Sequence, residues 1–250
     1  MKKIFQATAA SIFLSLFALT ALAAEAPKAK TQDEVVVADT WYTVTIAGKT
    51  KYGYYNDKIV RRGDQLFFQN RYWKSEEGFI NEEALGAIAK DDADLTPLVF
   101  NFQSKYRNSE TKIDGSLKDG ELTVKIKKGG KELPLVKRTG IKNAIFSVFF
   151  PVWLGKKFNE MKVGQTLSYL TILEDNIDQN FSSISGWVRQ EKDDEFAIKN
   201  KAKKLAVTYR DLKSTWYILP SGTPIKIHLQ DANTTIERVS EKVATQFLKP

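Results

Sequence analysis

From Glu121 to Lys127 the chain alternates without a break. Leu122, Val124 and Ile126 are apolar, and the residues between them, Thr123 and Lys125, are polar. A period of two puts the apolar set on one face of a strand, a pattern that a helix cannot bury. The same alternation recurs along most of the sequence. Tyr42, Val44 and Ile46 share a face, a second strand runs from about Lys51 to Val60, and Leu66, Phe68 and Tyr72 continue the series. Phe100 with Phe102, Ile113 with Leu117, and Leu133 with Leu135 follow. Further strands are expected at Leu167–Thr171, Ser182–Arg189, Glu195–Lys199, Leu205–Tyr209, Trp216–Leu219 and Ile225–Leu229. Turn signals separate them: Arg62-Gly63-Asp64, Asp119-Gly120, Gly129-Gly130 and Pro220-Ser221-Gly222-Thr223. The Asp-Gly pair is the sharpest, because glycine accepts the positive φ of a type I′ turn. Strands at intervals of roughly ten residues predict an all-β fold. The expected architecture is a large curved antiparallel meander or half-barrel sheet.

Two stretches break the alternation. Residues 76–92, with Glu76, Glu77, Glu82 and Glu83, read as either a short helix or an irregular excursion. Residues 144–158 are apolar nearly all round and predict a short helix near 144–155, with Pro151 breaking or restarting it. This segment divides the strands into two groups, 39–140 and 160–250, and leaves open whether they form one sheet or two. Near the end, Ser240 is a helix cap ahead of a brief helix through Phe247.

The first 23 residues have the pattern of a secretory signal peptide: Lys2 and Lys3, an apolar run from Ile12 to Leu22, and Ala21-Leu22-Ala23 as the cleavage site. Export, most simply to a bacterial periplasm, is the expectation. A flexible tail at 24–38 then precedes a single β-rich domain at 39–250. The chain has no cysteine, so disulfides and a lipidated cysteine anchor are both excluded. After the leader no apolar run approaches the ~20 residues of a spanning helix. The net charge of +8 is modest, and its lysines sit beside acids, as in Lys74-Ser75-Glu76-Glu77, so it reads as a solvated surface. No nucleic-acid motif is present.

The same composition narrows the chemistry. His228 is the only histidine, and it lies on the polar face of its strand beside Lys226 and Gln230. Histidine-rich metal sites and Cys–His pairs are therefore unavailable, and no Gly-x-Ser-x-Gly elbow accompanies His228. Asp91-Asp92-Ala93-Asp94 lacks the glycine and distal glutamate of a calcium loop. The acids from Glu76 to Asp94 admit a two-carboxylate hydrolase only if two of them face each other across a substrate. No cofactor is expected.

The most suggestive constellation is Phe146, Phe149, Phe150, Trp153 and Phe158, followed by Lys156 and Lys157. As a site, the aromatics line a lipid pocket and the two lysines face a membrane surface. As architecture, the same residues plug the concave face of a curved sheet.

Three segments carry a resemblance: Trp41–Tyr54, the apolar middle segment, and Ile225–Leu229 with Ile236–Ala244. In this order they resemble a group of uncharacterised bacterial envelope proteins built on a long meandering antiparallel sheet. Similar sheets precede the catalytic domain of some periplasmic transglutaminase-like proteins. The resemblance implies an extended or half-barrel sheet. Transglutaminase-like activity is not implied, because it needs a cysteine. The expected function is non-enzymatic: binding an apolar or amphipathic envelope ligand such as a lipid. The alternatives are a structural or assembly partner of other envelope proteins, acting through a sheet edge, and the two-carboxylate hydrolase.

Overall fold

Asp119 and Gly120 both have positive φ, 51° and 76°, and Lys118 pairs directly with Glu121 across them. This is the two-residue hairpin that the Asp-Gly pair predicts, and hairpins of this kind build most of the molecule. The computed structural model describes residues 34–48, 50–107, 109–175, 181–210 and 212–248. The expected leader at 1–23 and residues 24–33 of the expected tail lie outside the described residues. Strand β1 (Glu34–Ile46) begins inside the stretch expected to be tail.

From there the chain meanders through β2 (Thr50–Arg62), β3 (Gln65–Glu76), β4 (Phe79–Lys90), β5 (Pro97–Tyr106), β6 (Ser109–Lys118) and β7 (Glu121–Lys128). Two short strands, β8 (Lys131–Glu132) and β9 (Val136–Arg138), both pair with β7. A crossover follows: β10 (Ala144–Phe146), a 3-10 turn at Ser147–Phe149, and helix α1 (Phe150–Lys157). The second flank is β11 (Thr166–Ile172), β12 (Ile184–Gln190), helix α2 (Glu195–Lys199), β13 (Lys203–Tyr209), β14 (Leu212–Ile218), β15 (Pro224–Leu229) and β16 (Thr234–Val239), with helix α3 (Glu241–Gln246) last.

The two strand groups form one sheet. Strand β16 pairs antiparallel with β1, so the strand order is β10-β11-β12-β13-β14-β15-β16-β1-β2-β3-β4-β5-β6-β7-β8. The sheet is curved, open and antiparallel throughout except for the β10–β11 pair. Its turns alternate between two ends. One end carries the turns at 47–48, 77–78 and 231–233; the other carries 63–64, 91–96 and 219–223.

Three expectations need correction. Residues 79–90 are neither helix nor excursion but strand, paired with β3 along their whole length from Glu76↔Phe79 to Gln65↔Lys90. Ala87 and Ala89 are buried within it. Residues 195–199 form α2 instead of a strand, because the Asp194 side chain accepts from the Ala197 N–H and caps the turn. The central helix starts later than expected. Ala144–Phe146 are spent on an edge strand, and Pro151 sits in the first turn of α1, where its missing N–H costs nothing. The Ser240 cap is as expected, accepting from Val243 N.

Candidate functional site

The crossover aromatics are core. Phe146 and Phe149 are fully buried, and Phe150 is nearly so. They lie on the concave face and touch both flanks. Phe149 meets Phe68 of β3 edge-on at 6.1 Å, and Phe146 meets Phe100 of β5 at 5.3 Å. Phe150 contacts Tyr169 of β11 at 4.4 Å and Trp216 of β14 at 5.4 Å. Trp153 stacks on Phe150 and Phe158 packs under the Lys203 ammonium, both at the margin of this core. Lys156 pairs with Asp91 at 2.9 Å and Lys157 with Glu160 at 3.1 Å, at the end where the turns 91–96 and 219–223 lie. The crossover thus fills one end of the concavity.

The other end is built differently. Reading across the concave face, Ile59, Phe68, Ala87 and Phe100 form an apolar row under the crossover. The next row is Thr40, Asp57 and Asn70, and the one after it is Tyr42, Tyr55 and Tyr72. The tyrosines touch across the strands: Tyr42–Tyr55 stack at 4.8 Å and Tyr55–Tyr72 meet edge-on at 5.7 Å. A cleft of about 450 Å³ lies over this end. Its aliphatic wall is Val44, Ile46, Leu229 and Ile236 from β1, β15 and β16; Tyr52, Tyr55, Tyr72 and Asn70 from β2 and β3 make the phenolic and amide wall. Tyr52 reaches this wall because a register shift between Val44 and Thr45 leaves it as an extra residue opposite β1.

At the rim, the Tyr52 hydroxyl donates to Glu76 at 2.5 Å, and Lys74 pairs with Glu83 at 2.8 Å and Glu76 at 3.3 Å. The hydrogen bond from Tyr52 holds the Glu76 carboxyl below its ordinary range. Deeper in, burial pushes Asp57 up to about 7, opposed by the hydrogen bond that Asn70 Nδ2 donates at 2.7 Å. Burial also pushes Glu174, in the loop after β11, up to about 8; its carboxyl accepts from Ser147 Oγ at 2.6 Å and Val148 N at 3.3 Å. Polarity therefore grades along the concave face from aromatic hydrocarbon, through phenols and amides, to an ion cluster.

The acids from Glu76 to Asp94 do not converge. Glu76 and Glu83 share Lys74 at one end of β4, whereas Asp91 binds Arg61 and Lys156 at the other. Eight residues of extended chain separate Glu83 from Asp91, roughly 26 Å. Asp92 accepts from Thr96 and shapes its own turn. His228 is half-buried, 3.4 Å from Thr235 Oγ1. No helix among the described residues is long and apolar enough to cross a membrane.

Sequence reasoning overlooked the tyrosine wall. Part of it was there to be found: a two-residue turn at Gly63-Asp64 places Tyr55 opposite Tyr72. The place of the buried Tyr42, which stacks on Tyr55 behind the wall, was not, because the register shift lies between it and the turn, and neither was the β16 wall, which no turn joins to β1.

No protein-family model matches the chain, and no curated protein matches it. A crystal structure of a DUF1089 family protein from Pseudomonas aeruginosa is similar at a TM-score of 0.41 and 14% identity, covering 68% of this chain and 87% of that one. A likeness at that level carries no argument about this protein.

Proposed function

We propose that the protein is a non-enzymatic binder of an amphipathic ligand such as a lipid, and that the ligand sits in the cleft between the aliphatic and tyrosine walls. The crossover aromatics close the opposite end of the concavity and do not line the cleft. The observation that carries this reading is the two-sided lining. An acyl chain loses water against Val44, Ile46, Leu229 and Ile236, while tyrosine hydroxyls and the Asn70 amide offer hydrogen bonds to a polar head. Ligand pockets of about this volume are mostly apolar with a few polar groups. The expected leader and the envelope-protein resemblance belong to the same proposal: an exported protein working where lipids need carrying.

Strand addition to a partner has less support. The sheet's outer strands β8, β9 and β10 are only two or three residues long, and the β7 edge carries Lys125, Lys127 and Lys128.

The test is binding of cis-parinaric acid, a fluorescent fatty acid, to protein purified without detergent. The expected result is saturable, stoichiometric binding that Ile236→Trp, which fills the cleft, weakens at least about tenfold while leaving far-UV circular dichroism unchanged. Absence of saturable binding to the unaltered protein, after lipid extraction, overturns the reading.

A further inference from the structure

Large apolar side chains stand uncovered at the end of the sheet to which the cleft runs, as Val163 and Ile198 do at the opposite end. Ile46 and Thr234, two cleft-lining residues, immediately precede or follow the turns at that end. On the neighbouring tips, Phe79 and Ile80 open β4 with 52% and 63% of their surface exposed, and Tyr106 closes β5 at 37%. Leu212 opens β14 at the same end, 59% exposed. Two of these side chains, Phe79 and Tyr106, are held in place. Arg107 pairs with Glu77 and lies over the Phe79 ring at 4.8 Å, and the Tyr106 hydroxyl donates to the same Glu77 at 3.2 Å. The tips of the β3–β4 and β5–β6 hairpins are thereby clamped into one unit.

Among the described residues, exposed charge at this end leans positive. Of these residues, Lys51, Lys105, Arg107, Arg210 and Lys213 are exposed at or within two residues of the turns, against Glu77, Asp175 and Asp231. Arg107 and Glu77 neutralise each other, which leaves Lys51, Lys105, Arg210 and Lys213 against Asp175 and Asp231. Rings and aliphatic groups at a tip, flanked by cations, suit the interfacial layer of an anionic bilayer, where apolar groups enter the acyl boundary and lysine and arginine stay with the phosphates. Lys156 and Lys157, the lysines that sequence alone puts forward as a membrane contact, lie at the opposite end and are paired to acids.

We propose that the Phe79–Ile80 and Tyr106–Arg107 hairpin tips dock the protein on an anionic lipid surface, with the open end of the cleft facing the bilayer. This rests on the lipid-binding reading for its purpose but not for its test.

The test is co-sedimentation of the full chain, as purified from expressing cells, with phosphatidylglycerol-containing vesicles and with pure phosphatidylcholine vesicles. Binding to the anionic vesicles is expected, and to be at least about tenfold weaker on neutral ones. Phe79→Ser combined with Ile80→Ser is expected to weaken anionic binding roughly tenfold to a hundredfold. Both positions are exposed, so the variant folds, and its cis-parinaric acid binding in the absence of vesicles is expected to be unchanged. Vesicle binding that survives the double substitution, or no binding by the unaltered protein, overturns the docking proposal. Loss of fatty-acid binding in the unaltered protein would instead count against the cleft alone.

Discussion

Glu174 carries a carboxyl into the core beside the start of the 3-10 turn, with 1% of its surface exposed. Burial raises its pKa from the ordinary 4.5 to about 8, so the folded protein keeps this proton over a range where the unfolded chain has released it. The stability that this contributes is fully present below about pH 4.5 and is lost as pH rises through 8. Urea midpoints should therefore fall between pH 5 and 8, and Glu174→Gln should flatten that fall by a few kcal/mol, Asp57 accounting for part of the slope that remains. Parallel pH profiles for the two proteins would refute a buried, protonated Glu174. No sequence pattern marks Glu174 or Asp57, because each owes its shift to atoms brought from distant strands. The fate of Phe149 and Phe150 was half legible: their apolar run predicts burial, but whether an aromatic faces packed neighbours or an empty cleft depends on what sits opposite.

At the level of elements, α1 is fixed by how closely it approaches the β14–β15 turn. A Cβ on Gly155 would come within 2.4 Å of the Ser221 carbonyl oxygen, so only glycine lets the helix backbone lie against that turn. Gly155→Ala should destabilise the protein by about 1–3 kcal/mol in urea unfolding, with Lys157→Ala, a partly exposed position on the same helix, within about 0.5 kcal/mol of the unaltered protein. Equal effects would mean that the helix is not pinned there. The hairpin strands were legible because alternation and two-residue turns are local. Strand β4 was not. Its Glu82-Glu83-Ala84-Leu85 run has helical propensity, and only continuous pairing with β3 on one side and β5 on the other overrides it. A strand was expected at Glu195–Lys199 and helix α2 was found there, because one capping aspartate decides a five-residue segment.

Across the whole molecule, the two strand groups share a single sheet and a single core, joined by the β1–β16 pairing and by Phe146, Phe149 and Phe150 reaching both flanks. Unfolding should then be one transition. Tryptophan emission, from Trp41 and Trp73 on one flank and Trp187 and Trp216 on the other, should change at the same urea concentration as far-UV circular dichroism. Two separated transitions would show that the flanks fold independently. By itself the sequence determined the all-β class, most hairpins, the cap at Ser240 and the apolar character of the crossover, since each depends on residues near one another in the chain. Only the tertiary structure decided that the last strand returns to the first, that the crossover fills one end of the concavity, and that tyrosines from β2 and β3 face aliphatics from β1, β15 and β16 across an open cleft. Those outcomes depend on contacts between residues up to about 200 positions apart, such as Tyr42 with Arg238, and a local pattern does not encode which distant surface will cover it.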